Sequence, residues 1–158
     1  MDFVTLANNH TLDFGETGLE NTKKSLDAVG VPCAGPNESY VYSRDDGIVV
    51  GLYAARWLAG EAEIRAGVSA LAEREDIDLV ICLMHWGLEG SYRVTESQKQ
   101  LGRAAIDAGA DIVYGSHPHV LQQIVEYNGG NILNSLGHMS VRGYPAPQDR
   151  GHRPDTVS

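Results

Sequence analysis

The chain has 158 residues, 42% of them hydrophobic and 21% charged, a composition from which one ordinary globular domain with one core is expected and not several. Twelve basic residues against twenty-one acidic ones leave a formal net charge of -9, so a sequence-independent grip on nucleic acid or anionic lipid is disfavoured. No run reaches the roughly 18 apolar residues of a membrane span, and Met1-Asp2-Phe3 lacks the basic start of a secretory signal, so the chain as written is expected to be cytoplasmic.

The first apolar run, Phe3 to Ala7, reads as a buried strand that needs neighbours on both sides, as if cut inside a larger sheet. Thr17-Gly18-Leu19-Glu20 has capping-box spacing, and Leu19, Leu26 and Val29 follow at helical intervals up to Gly30. Tyr40 to Ser43 and Ile48 to Ala55 flank Arg44-Asp45-Asp46-Gly47 and predict a β-hairpin. Ile64, Val68 and Leu71 mark a helix within 61–75, and Asp78 to Met84 reads as a continuous buried strand. Thr95-Glu96-Ser97-Gln98 is a second capping box, opening a helix that runs to Gly109, and the box accounts for Gln98 without any role in a site. A strand from Asp111 to Tyr114 and a hairpin of Val120 to Tyr127 with Asn131 to Ser135 complete the pattern. Strands alternating with helices predict an α/β domain over 1–140, while the Arg/Pro/Gly-rich stretch 141–158 reads as a disordered tail. Cys33 and Cys82 lack C-x-x-C spacing and read as small core residues.

Histidines follow three of these strands. Asn9-His10 comes after the first, His85 after 79–84, and His117-Pro118-His119 after 112–114. In open α/β sheets, ligands gather beyond the carboxyl ends of parallel strands, so groups distant in sequence can meet there. Neutral imidazole and an amide oxygen suit Zn, Mn or Fe, and such an ion supplies a Lewis acid and a hydroxide, which points to metal-assisted hydrolysis. Each group has a plainer reading as well. A lone histidine such as His85 is more often a hydrogen-bonded loop or core residue, and Asn8-Asn9-His10 by itself reads as a turn. His117 and His119 carry the stronger signal, because in extended backbone residues i and i+2 project to one side and Pro118 stiffens the step.

Taken in order, Leu6-Ala7-Asn8-Asn9-His10-Thr11-Leu12-Asp13-Phe14-Gly15, His85-Trp86-Gly87-Leu88-Glu89, Ala108-Gly109-Ala110-Asp111 with Gly115-Ser116-His117-Pro118-His119, and Ser135-Leu136-Gly137 resemble the bacterial capsule-synthesis CapA family, which includes poly-gamma-glutamate synthesis proteins. The resemblance runs from about Phe3 to Gly137. It implies a calcineurin-like metallophosphatase fold, here a partial four-layer α/β/β/α sandwich, with a dinuclear centre of Mn, Fe or Zn in complete relatives. By that resemblance Asn9, His85, His117 and His119 are metal ligands, His10 is the group that protonates a leaving oxygen or holds the attacked group, and Glu89 either faces substrate or is a solvated loop carboxylate.

The chain also departs from the family pattern. No aspartate-bearing block stands ahead of Asn9, so a neutral His/Asn set is expected to hold at most one metal, weakly, because no bridging carboxylate offsets the repulsion between two cations. Ser135-Leu136-Gly137-His138-Met139 replaces the family's Ser-Leu-Gly-Asn, and a truncated frame accounts for both ends; His138 and His152 read as incidental. Three functional readings follow: a metal-dependent hydrolase acting on an anionic polymer or phosphoester, a non-catalytic scaffold of the polymer machinery, or an inactive remnant that folds poorly. An envelope location is expected if an anchor has been lost; the sequence leaves the oligomeric state open.

Overall fold

The computed structural model describes residues 2–56 and 58–137; the predicted tail, His138 and His152 lie outside the described residues. The elements are β1 Val4–Thr5, α1 Gly15–Asp27, β2 Cys33–Ala34, β3 Glu38–Ser43, β4 Val49–Arg56, α2 Glu61–Ala72, β5 Leu79–His85, α3 Glu96–Asp107, β6 Ile112–Ser116, β7 Ile124–Tyr127 and β8 Gly130–Leu133. Six strands form one sheet in the order β3-β4-β5-β6-β8-β7, and β1 pairs in parallel with β2 as a separate two-stranded unit. The four inner strands are parallel, and an antiparallel hairpin partner lies at each edge. This is a mixed α/β fold, consistent with part of a metallophosphatase-like sandwich.

The core lies between the sheet and the two crossover helices. Ile64, Val68 and Leu71 of α2 and Leu101, Ala105 and Ile106 of α3 recur at helical spacing and meet Tyr53, Val80, Cys82, Met84, Val113 and Ile132 of the sheet. On the opposite face a smaller cluster of Ala7, Ala34 and Ala54, with Phe3 and Tyr40 against it, seats the β1–β2 pair. The Lys23 ammonium donates to Glu38 Oε1 at 2.6 Å and thereby ties α1 to β3, while Gly35 N donates to the other carboxylate oxygen at 2.7 Å.

Several sequence expectations change here. The strand at 79–85 is buried only at alternate residues, because helices cover one face and the other is half-exposed; β4, packed on both faces, is the continuously buried strand. The first strand is only two residues long and has one partner, which the sequence did not reveal because β2 is equally short. Thr17 does not cap α1: a turn closed by Gly15 N donating to Leu12 O at 2.9 Å starts the helix earlier, leaving Thr17 inside it. Cys33 is half-buried, whereas Cys82 is fully buried and its thiol is pushed up to about 12 by that burial, which makes it inert. The second capping box holds: Gln98 N donates to Thr95 Oγ1 at 3.2 Å and Thr95 N to Gln98 Oε1 at 3.0 Å. Among the described residues, no helix is long and apolar enough to cross a membrane.

Candidate functional site

Parallel register brings the histidine loops to one end of the sheet. β5 and β6 pair Met84 with Gly115 and His85 with Ser116, and β4 places Arg56 beside His85. β6 therefore runs two residues past the predicted Tyr114, and that extension positions the loop carrying His117 and His119. The rings of His85 and His117 lie 4.7 Å apart between centroids, and those of His117 and His119 lie 6.0 Å apart. Asn9 reaches across from the other sheet: its Oδ1 is 2.9 Å from His85 Nε2, a contact spanning 76 residues of sequence. Four of the five predicted metal or catalytic residues are thus in one cluster, and His10 joins through Asn9 Nδ2 at 3.1 Å from His10 Nε2.

The backbone carrying the histidine pair is not extended as the sequence suggested. His117 has φ of 95° and His119 of 61°, both in the left-handed region that disfavours residues with a Cβ. Such strain, of order 1–3 kcal/mol per residue, clusters at functional sites. It leads to a direct expectation: His117→Gly will be more stable than His117→Ala by about 1 kcal/mol, because glycine alone relieves the positive φ. Urea unfolding of the two variants measures that difference, and equal midpoints would contradict it.

Loop 86–95 is held from below. Trp86 is fully buried and its indole N–H donates to Asn134 O at 2.9 Å. Gln98 has a structural task beyond the cap, since its buried amide donates to Gln122 Oε1 at 2.8 Å and Gln122 Nε2 donates to Ser91 O at 2.8 Å. Gly87 lies so close to Gln98 that a Cβ would stand 2.9 Å from the amide, with φ of 82°. Gly90 N donates to Pro118 O at 2.8 Å, which joins this loop to the histidine loop. Glu89 is exposed on it, near enough to His117 to favour the charged imidazole.

Burial, and then the neighbouring His117, His119 and His10, push His85 down to about 4. His117 is also lowered, by burial first and then by His119, against the opposing carboxylate of Glu89. Both are neutral near pH 7, the form that offers a lone pair to a metal or a proton. An unfolded imidazole takes up a proton below its ordinary value of 6.5, whereas folded His85 does so only near 4, so the unfolded state binds more protons in between. Stability will therefore fall as pH drops from 6.5 toward 4, and the slope of Tm against pH will flatten in His85→Gln. An unchanged slope in that variant would contradict the assignment.

Sequence reasoning missed three neighbours of the cluster. Ser116 Oγ lies 3.1 Å from His85 Nδ1 and donates to Met84 O at 3.2 Å, the kind of partner that orients a ligating imidazole. Arg56 emerges only from strand register. Asp13 Oδ2 accepts from His10 Nδ1 at 2.8 Å, a contact visible in the sequence only as an i, i+3 pair in a loop.

The donors suit a divalent ion in kind: three imidazoles and an amide oxygen, with Ser116 behind one of them. They do not suit a dinuclear centre, since no carboxylate belongs to the cluster's donor set. Among the described residues, no three His, Cys, Asp or Glu side chains are gathered as a formed metal site would have them. The crevice is a set of converging donors and not a finished shell.

A mixed sheet with imidazole and amide groups converging beyond its strand ends defines an α/β protein whose fold is consistent with part of a metallophosphatase-like sandwich. A family model described as bacterial capsule synthesis protein PGA_cap matches residues 1–141, and the chain belongs to that family. It is 32% identical to the PGA biosynthesis protein CapA of Bacillus subtilis, over 87% of this chain and 42% of that protein. It is 31% identical to the capsule biosynthesis protein CapA of Bacillus anthracis, over 85% and 39%. A probable polyglutamine synthesis accessory protein of Mycobacterium tuberculosis is 29% identical over 84% and 43%. The chain thus spans about two fifths of the length of these curated relatives.

Proposed function

We propose that the chain carries a hydrolytic crevice, acting on phosphoester or related bonds, in the biosynthesis of an anionic surface polymer. The observation that carries this reading is the meeting of Asn9 with His85, and of His85 with His117, at the carboxyl ends of strands from two sheets. The names of the relatives supply the biosynthetic context. Asn9, His85, His117 and His119 would hold one Mn, Fe or Zn ion, which when bound supplies Lewis acidity and an activated water. His10, exposed at the crevice edge and backed by Asp13, holds the proton that a leaving oxygen needs. Arg56, beside His85, offers a cation for an anionic substrate group, and Glu89 stands at the opposite loop against His117.

The test is hydrolysis of a chromogenic phosphoester by protein loaded with Mn or Zn, compared with a His117→Ala/His119→Ala variant. Metal-dependent turnover lost in the variant is expected. One observation favours a second reading, a scaffold without turnover: the donor set contains no carboxylate and is not gathered into a shell. No activity with any divalent ion would overturn the hydrolytic reading.

A further inference from the structure

We propose that Arg56 anchors the phosphate of a phosphomonoester, so that the crevice takes a terminal phosphate group and not a bridging one. Strand alternation places its side chain. On β4, Tyr53 and Ala55 belong to the helix-covered core and Ala54 to the cluster on the opposite face, so Arg56 shares the face of Ala54. On β5, Cys82 and Met84 belong to the core, which leaves His85 on that same opposite face; Val113 of β6 does likewise and leaves Ser116 there. Parallel register then sets Arg56 beside His85 and His85 beside Ser116, in one row across three carboxyl ends. Asn9 meets this row from the neighbouring unit. Ala7, two residues before Asn9, shares a cluster with Ala54, two residues before Arg56, and Asn9 Oδ1 reaches His85 Nε2 at 2.9 Å.

The charge of Arg56 is uncommitted within the fold. Arg44 is held by Asp46, Arg65 by Glu61 and Arg74 by Asp76, while Arg103 lies over the Tyr127 ring and Arg93 is exposed to solvent. Among the described residues, the half-buried Arg56 guanidinium has no hydrogen-bond, carboxylate or ring partner. An arginine drawn out of water without a partner is costly, and a bound anion would offset that cost. The formal net charge of -9 repels anions at long range, so recognition depends on this local cation.

The ligand class follows from counting oxygens. The planar fork of a guanidinium matches two oxygens of one phosphate. A phosphomonoester has three non-bridging oxygens, two for Arg56 and one for the ion that Asn9, His85, His117 and His119 would hold. A phosphodiester has only two, so the same grip leaves none for that ion. It also carries one charge where the monoester carries two at mildly alkaline pH, so its attraction to the guanidinium is about half as large.

This site rests on the hydrolytic reading for its place in a reaction, whereas binding itself needs neither metal nor turnover. The experiment is isothermal titration of the full chain, kept metal-free with a chelator at mildly alkaline pH, with inorganic phosphate, phenyl phosphate, diphenyl phosphate and acetate. The wild-type chain is expected to bind phosphate and phenyl phosphate more tightly than diphenyl phosphate or acetate. Arg56→Gln should weaken phosphate binding about 10- to 100-fold, the worth of hydrogen bonds to a charged group, and Arg56→Lys, which keeps the charge without the fork, should fall between. Equal affinity of wild type and Arg56→Gln for phosphate would overturn the site. Diphenyl phosphate or acetate bound as tightly as phenyl phosphate would overturn the monoester assignment. If phosphate binding requires Arg56 while no divalent ion elicits hydrolysis, the hydrolytic reading fails and the anion site stands.

Discussion

Replacing Trp86 with alanine will destabilise the protein by about 3–5 kcal/mol, the range for deleting a buried aromatic side chain from a core. Trp86 is 1% exposed, and it links the main core to the loop that carries Glu89. Its surroundings are shaped to admit it. A Cβ on Gly102 would stand 3.2 Å from the Trp86 ring, and one on Gly115 would stand 2.4 Å from the indole nitrogen and 2.1 Å from Asn134 O. Both glycines clear the space that the indole fills. Trp86→Phe keeps most of the packing but leaves Asn134 O without the indole donor, and should cost about 1–3 kcal/mol. Urea unfolding of the two variants orders these effects. A Trp86→Ala protein within 1 kcal/mol of wild type would show that the loop is not anchored through this residue.

The second large effect is on chemistry. If His10 holds the proton for the leaving oxygen, His10→Ala will lower kcat for phosphoester hydrolysis by about 10²–10⁴-fold, the usual contribution of a positioned acid. KM should change little, because His10 stands at the edge of the cluster and not among the inner donors. Its exposure also means that the fold will tolerate the change, so lost activity cannot be ascribed to unfolding. Parallel measurement of kcat, KM and Tm separates the two, and a kcat within threefold of wild type would remove His10 from the mechanism.

The sequence yielded most where a signal is local. Thr95 and Gln98 are a cap whose two partners lie three residues apart, and they cap α3 as read. The hairpin around Asp46-Gly47 and the helix carrying Ile64, Val68 and Leu71 are local for the same reason. Thr17 shows the limit, since the same spacing sits inside a helix that a preceding turn had already started. The histidines were legible because three strand ends carried them, and parallel register then brought them together. What register alone decides was hidden: Ser116 opposite His85, Arg56 on its other side, and the two-residue pairing of β1 with β2. The positive φ at His117 ran against the ordinary bias of a residue before proline, because tertiary contacts such as Gly90 N to Pro118 O hold that loop.

Elemental analysis of the purified chain after loading with Mn or Zn and removal of free metal tests the central claim most directly. The account predicts a single bound ion per chain in the wild type, lost in His117→Ala/His119→Ala and weakened in Asn9→Ala. A wild-type chain that retains no more metal than the double variant would contradict it.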